Sequence, residues 1–113
     1  MTSRRTIAAV ALVALLTIAA AAPATAVTIR GSGTRWRPAR VDIDRGERVR
    51  WRAASGNHTV RAYGGNWTYS RGLSEGASVS RRFRQRGTFR FFCSLHGNVT
   101  GGTCTGMCGR ILV

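Results

Sequence analysis

The alternation of apolar and polar residues constrains the fold of this chain more than any other sequence feature. Val49 alternates with Trp51, and Phe89 with Phe91 and Cys93, while glycine interrupts the pattern every eight to twelve residues or so. A period of two is that of a strand with one buried face, and no segment keeps a helical period. The sequence therefore predicts an all-β fold of short strands in an antiparallel sandwich or barrel.

The alternation also places the individual strands. Arg45 and Gly46 supply the turn between the strands expected at 40–44 and 48–52. Residues 63–76 form a long surface loop with one short strand around Trp67. Arg81 shares the parity of the apolar positions around it, which indicates either a bulge or an arginine stem lying along the sheet edge. The expected strands are 27–31, 40–44, 48–52, 58–62, 77–83, 88–93 and 109–113.

The N-terminus has the pattern of a secretory signal peptide. Arg4 and Arg5 precede an uncharged, alanine-rich run that ends at Pro23 and a small-residue cleavage pattern. A membrane anchor is the alternative, but the run is only about as long as the shortest spanning helices. We expect a signal peptide at 1–26, a single domain at 27–113, and export to the periplasm or the extracellular space, by either the Sec or the Tat route.

The exported part is strongly basic. The chain has 18 basic residues, all arginine, and four acidic ones; without Arg4 and Arg5 its formal charge is +12. Such a charge attracts anionic partners but does not determine a fold. We expect association with an acidic partner protein and, as a further option, with anionic cell-wall polymer or a membrane surface.

The last part of the chain concentrates the sulfur-containing side chains. Its three cysteines cannot all form disulfides, and Cys93, His96, Cys104 and Cys108 together could instead hold zinc. In an oxidising compartment, however, two of the three should pair. Cys104 and Cys108 are the natural couple, because a turn in their glycine-rich segment can bring the α-carbons within range. That pairing would leave Cys93 as a lone thiol.

The neighbours of Cys93 favour a metal site. His96 follows it by three residues and Met107 can reach the same point from later in the chain, while His58 is the other histidine present. Two imidazoles, one thiolate and a distant thioether form the site that suits copper cycling between two oxidation states. This set of donors predicts one type 1 copper ion.

These residues also resemble a known family. The strand with Gly46, Glu47, Val49 and Trp51, the segment 57–60, the run 87–96 into Cys93 and His96, and the late methionine resemble the cupredoxins, blue copper proteins of the plastocyanin, amicyanin and azurin type. The resemblance spans 27–113. It implies a Greek-key β-sandwich of about seven to eight strands. It also implies a one-electron carrier, with His58, Cys93, His96 and Met107 as copper ligands. We expect the protein to be a monomer.

Two departures from the family pattern affect the site. Ten residues separate His96 from Met107, more than in plastocyanin-like or amicyanin-like loops, and a Cys104–Cys108 bridge would hold this long loop in shape. Thr59 stands where several family members have an asparagine that helps to hydrogen-bond the thiolate. A backbone N–H would therefore have to take over that bond.

Three functions compete for this sequence. The first is electron transfer, and the second is copper capture or delivery on the same scaffold. The third is a zinc-stapled, arginine-rich nucleic-acid binder, which the signal peptide disfavours, so we expect no nucleic-acid partner. An enzyme is also disfavoured, because a second copper centre would need more histidines than the two in this chain.

Overall fold

The computed structural model describes residues 9–14 and 26–113. Two sheets form the fold, a four-stranded sheet in the order β2-β1-β4-β7 and a five-stranded sheet in the order β3-β9-β8-β5-β6. The strands are β1 Val27–Ser32, β2 Arg35–Arg37, β3 Arg40–Asp42, β4 Arg48–Ser55, β5 His58–Tyr63, β6 Ser70–Leu73, β7 Ser78–Arg82, β8 Thr88–Thr100 and β9 Thr103–Leu112.

The predicted all-β sandwich is confirmed, and its core lies between the two sheets. Inward-facing residues alternate with exposed ones, most clearly along β4, where Val49, Trp51 and Ala53 are buried and the arginines between them are exposed. Trp51 packs edge-on against Phe91, with ring centroids 5.4 Å apart. The period of two therefore identified the buried face correctly.

The strand count and pairing differ from the expectation. The described residues form nine strands rather than seven or eight, because Arg35–Arg37 forms β2 and the short strand expected around Trp67 lies instead at Ser70–Leu73. The sheets are not purely antiparallel, since β1 pairs with β4 and β3 with β9 in parallel. The turn at Arg45–Gly46 exists, but it carries the chain from one sheet to the other, so β3 and β4 do not form a hairpin.

Arg81 takes the second of its two predicted roles. The pairing of β7 with β4 is regular through this position, so no bulge is present. Its guanidinium lies 5.3 Å from the centre of the Trp67 ring and donates a 2.7 Å hydrogen bond to the carbonyl oxygen of Thr68. The guanidinium group thus covers aromatic side chains at the sheet edge, where β7 is the outermost strand.

The predicted signal peptide lies mostly outside the described residues, which include only 9–14 and 26 of it, and it stays a prediction. Within 9–14 and 26–113, no helix is long and apolar enough to span a membrane.

Candidate metal centre

Cys93 lies where the pairing of two core strands is interrupted. On β8 and β9, Phe92 pairs with Cys108, and the next pair joins Gly97 to Gly106. Four residues of β8, from Cys93 to His96, therefore stand opposite the single residue Met107 of β9. The arch that results turns the Cys93 thiol into the buried end of the sandwich, where both Cys93 and Met107 are at most 1% exposed.

His58 supplies the first imidazole from the start of β5. Its ring is buried, and Nδ1 lies 3.8 Å from Cys93 Sγ. Its Nε2 lies 2.8 Å from the carbonyl oxygen of Ser55. Because a carbonyl can only accept a hydrogen bond, Nε2 carries the proton, and the lone pair of Nδ1 is left facing the thiol.

His96 completes the cluster from the far side of the arch. Its Nδ1 is 3.6 Å from Cys93 Sγ, and its ring centroid is 5.2 Å from that of His58. One donor atom from each of the three residues lies within 4.8 Å of the other two. The first two residues are buried and His96 is exposed, so the cluster has one edge at the surface.

Thr59 connects the two strands that carry the ligands. Its backbone N–H donates to Cys93 Sγ at 3.4 Å, which confirms the expected main-chain donor to this sulfur. Its side-chain oxygen accepts a 2.8 Å hydrogen bond from the backbone N–H of Ser94 and lies 2.8 Å from the Ser94 hydroxyl oxygen. The threonine therefore fixes the residue that follows the thiol.

The long segment between His96 and Met107 is a hairpin rather than a loop. Strands β8 and β9 continue past the arch and are joined at Gly101 and Gly102, whose φ angles of 58° and 78° suit a two-residue turn. The prediction of a strand ending at Cys93 was therefore wrong. Pairing between β8 and β9 orders the residues between His96 and Met107.

Close backbone contact at Gly97 and Gly106 holds the base of this hairpin against the arch. A β-carbon on Gly97 would lie 2.9 Å from the backbone nitrogen of Met107, and one on Gly106 would overlap the carbonyl oxygen of His96. Gly106 also has a φ of 84°, which L side chains rarely adopt. Glycine at both positions lets the two strands approach beside Met107.

The predicted disulfide is present. Cys104 and Cys108 are bonded, with their α-carbons 6.1 Å apart, whereas four residues of regular strand would span about 13 Å. Strand β9 is therefore bent between Cys104 and Cys108, in the segment that contains Met107. The bond uses two of the four donors of the alternative zinc site, and Cys93 is the free cysteine among the described residues.

Two residues that the sequence analysis missed support His58. Trp36 on β2 is buried with its ring centroid 5.7 Å from that of His58. Gly31 on β1 lies beneath both rings, because a β-carbon there would come within 2.9 Å of His58 Cδ2 and of Trp36 Cζ3. The alternation Arg-Trp-Arg was the available signal for β2, but three residues are too few for a strand to be recognised.

The close contact at Gly31 gives a first prediction. Gly31→Ala should displace the His58 ring by a few tenths of an ångström and weaken metal binding about tenfold, since the positioning of a ligand by its surroundings has effects of this size. The affinity of the apoprotein for Cu(II) and Zn(II) would be measured by competition with a chelator. Gly72→Ala is the matched control, because a β-carbon at this strand position meets nothing within 4 Å. Equal affinities for the two variants would contradict a supporting role for Gly31.

Comparison with solved structures identifies the fold. No protein-family model and no curated protein matches the sequence. The structure superimposes on amicyanin from Paracoccus versutus with a TM-score of 0.61 and 22% identity, over 81% of this chain and 84% of that one. It also matches a purple cupredoxin from Nitrosopumilus maritimus, with a TM-score of 0.60 and 20% identity, over 77% of this chain and 98% of that one. This chain has the cupredoxin fold.

The cupredoxin fold also occurs within a larger neighbour. A copper-containing nitrite reductase from Thermus scotoductus SA-01 matches with a TM-score of 0.65 and 20% identity, over 79% of this chain. The chain spans 22% of the length of that enzyme. The likeness therefore concerns the fold of one part of the reductase.

The donors at the end of this cupredoxin sandwich suit copper. A buried thiol and two imidazole Nδ1 atoms converge, and a buried thioether-bearing residue stands opposite the arch that carries two of them. Sulfur with imidazole is the ligand combination of copper sites that cycle between Cu(I) and Cu(II). The four carboxylates are elsewhere: Glu47 and Glu75 accept bonds from backbone N–H groups, Asp42 pairs with Arg40, and Asp44 lies before a turn.

Proposed function

We propose that this protein binds one copper ion at His58, Cys93 and His96, with Met107 as axial ligand, and acts as a one-electron carrier outside the cytoplasm. The observation that carries the proposal is that the three donor atoms lie within 4.8 Å of one another and that one of them is a buried thiol. A bound copper ion would supply the Cu(II)/Cu(I) couple. Residues 27–113 would form the single functional domain.

The protein holds its donors in place before any metal binds. Ser55 fixes the tautomer of His58, Thr59 donates an N–H to Cys93 Sγ, and the Cys104–Cys108 bond brackets Met107. Donors fixed by neighbouring strands cannot move far when the charge of the site changes. Such rigidity favours electron transfer, because little rearrangement then accompanies oxidation and reduction.

The exposed edge of His96 is the proposed route for the electron. Next to it, Leu95 is 59% exposed, which is unusual for a large apolar side chain in this domain. An apolar spot beside a ligand can make close contact with a partner protein, and the basic surface around the domain would attract an acidic one. Association should therefore weaken as salt rises.

Catalysis does not follow from this arrangement. The chain has two histidines, both of them in the proposed site, so none is left for a second copper centre of the kind that copper oxidases and nitrite reductases use. Copper capture or delivery is the remaining alternative, because it would use the same ligands.

Protein-film voltammetry of the copper-loaded protein tests the electron-carrier function. We expect a reversible one-electron wave and fast self-exchange between oxidised and reduced protein, because the ligands are held by neighbouring strands. A slow, irreversible wave with release of Cu(I) would contradict electron transfer and support copper handling.

The role of Met107 gives a separate prediction. Met107→Leu should keep copper binding and raise the reduction potential by on the order of tens of millivolts, because loss of the thioether donor disfavours Cu(II) more than Cu(I). Ile111→Leu is the matched control, since Ile111 is a fully buried residue of the same strand that faces the core. An unchanged potential in Met107→Leu would exclude axial ligation.

A further inference from the structure

The outer face of the four-stranded sheet is almost entirely arginine. Other positions on this face that are exposed or half-buried carry small hydroxyl side chains, Thr28, Ser78 and Ser80. Along each strand the neighbouring residues face the core, so the arginines share one side of the sheet. They are Arg30 on β1, Arg35 and Arg37 on β2, Arg48, Arg50 and Arg52 on β4, and Arg82 on β7.

The strand register places these arginines side by side. Arg30 pairs with Arg37 on one side and with Arg52 on the other, so three guanidinium groups form a row across three strands. A second row joins Arg48 to Arg82. Like charges directly opposite one another destabilise a sheet. An anionic partner that covers the face would remove this cost.

No acidic side chain of the protein offsets this charge. All four acids lie within the described residues, and the one ion pair found there joins Arg40 to Asp42 on the other sheet. Glu47 and Glu75 accept hydrogen bonds from backbone N–H groups in turns. The guanidinium groups of the arginine face are therefore free to bind an external anion.

The outer face of the five-stranded sheet is less uniformly basic. It also carries arginines, among them Arg61, Arg90 and Arg110, but these are interspersed with Tyr63 and Phe92, whose rings pack together with centroids 5.8 Å apart. Arg110 pairs with Arg90 on one side and with Arg40 on the other, so this face also has a row of three arginines, but Arg40 forms an ion pair with Asp42. The face therefore has fewer unopposed charges than the arginine face. It serves as an internal comparison for the arginine face.

We propose that the arginine face docks the protein on an anionic phospholipid bilayer. The charges form a two-dimensional array, and a plane of headgroups can neutralise all of its rows at once, whereas a linear polymer follows one row. The face has no large apolar side chain to insert or to fill a pocket on a protein partner. Clusters of four to eight basic residues are typical of attraction to anionic lipid.

Docking in this way would leave the metal centre accessible. None of the seven arginines belongs to β5 or β8, the strands that carry His58, Cys93 and His96. The protein could therefore stay at a membrane surface while its exposed histidine meets a redox partner. The docking proposal itself does not depend on the identity of the metal.

Vesicle co-sedimentation of the exported protein tests the proposal. We expect binding to vesicles of 30% phosphatidylglycerol in phosphatidylcholine, none to phosphatidylcholine alone, and loss of binding as salt rises. The triple variant Arg30→Gln, Arg50→Gln, Arg52→Gln should bind about 100-fold more weakly. The triple variant Arg61→Gln, Arg90→Gln, Arg110→Gln removes the same charge from the other sheet and should lose less than about fivefold.

A measurement on the wild-type protein guards against misfolding of the variants. Modification of arginines by phenylglyoxal, read by mass spectrometry, should be slowed by anionic vesicles at Arg30, Arg50 and Arg52 and unchanged at Arg61, Arg90 and Arg110. Equal protection of both sets, equal losses in the two triple variants, or no binding to anionic vesicles at low salt would overturn the proposal. Tighter binding of the same face to duplex DNA, polyphosphate or polyglutamate than to vesicles would also overturn it.

Discussion

Cys93→Ser should abolish the intense blue absorption of the copper-loaded protein. The band arises from charge transfer between a thiolate and Cu(II), and Cys93 is the free thiol of the described chain, buried between two imidazole nitrogens at 3.6 and 3.8 Å. A serine hydroxyl is a harder donor with a much higher pKa, so it cannot replace the thiolate. We expect loss of essentially all of the band and at least a hundredfold weaker binding of Cu(I), measured by chelator competition.

The matched control uses the other two cysteines. The double variant Cys104→Ser, Cys108→Ser removes more sulfur than Cys93→Ser but leaves the proposed thiolate in place. It should keep the band, with a changed position or intensity if the disulfide orients Met107. Blue colour that survives in Cys93→Ser, or that depends only on the disulfide cysteines, would show that the thiolate ligand is misassigned.

Among the substitutions proposed for this protein, Trp51→Ala should cause the largest loss of folding stability. Its side chain is fully buried between the sheets, and its ring is 5.4 Å from Phe91 and 5.6 Å from Tyr69. Truncating such a residue costs about 3–5 kcal/mol, whereas the whole free energy of unfolding of a small domain is about 5–15 kcal/mol. We expect the melting temperature of the apoprotein to fall by more than about 12 °C in calorimetry.

Trp67→Ala is the control for this core substitution. Trp67 also packs against Tyr69, at 5.8 Å, but it is only partly buried and lies outside the strands. It should cost clearly less stability than Trp51→Ala. A similar melting temperature for the two variants would mean that the space between the sheets is not the main core of the domain.

The residues that could be predicted are those whose signal is local. Cys93 and His96 lie three positions apart on one arch, so their proximity follows from the sequence. His58, from a separate strand, was predicted as the only other histidine of the chain, and the family resemblance supported that choice. The Cys104–Cys108 pairing is equally local. The buried positions of β4 and β8 follow from the period of two, because each of these strands has one face toward the core.

The features that were missed depend on contacts between distant segments. The parallel pairing of β1 with β4 and of β3 with β9 joins strands separated by other elements, and alternation within one strand carries no information about its neighbour. Trp36 reaches His58 only because β2 pairs with β1. The β8–β9 hairpin was read as a loop because its pairs join small and polar residues, including Gly97 with Gly106.

Titration of the reduced apoprotein with Cu(II) under anaerobic conditions is the most direct test of the copper centre. If His58, Cys93 and His96 hold the metal together, the blue band should rise linearly and stop at one copper per chain. The bound ion should then show the narrow copper hyperfine splitting in electron paramagnetic resonance that accompanies a copper–thiolate bond. Uptake of one copper without the band, or with the wide splitting of a nitrogen-and-oxygen site, would contradict the proposed centre.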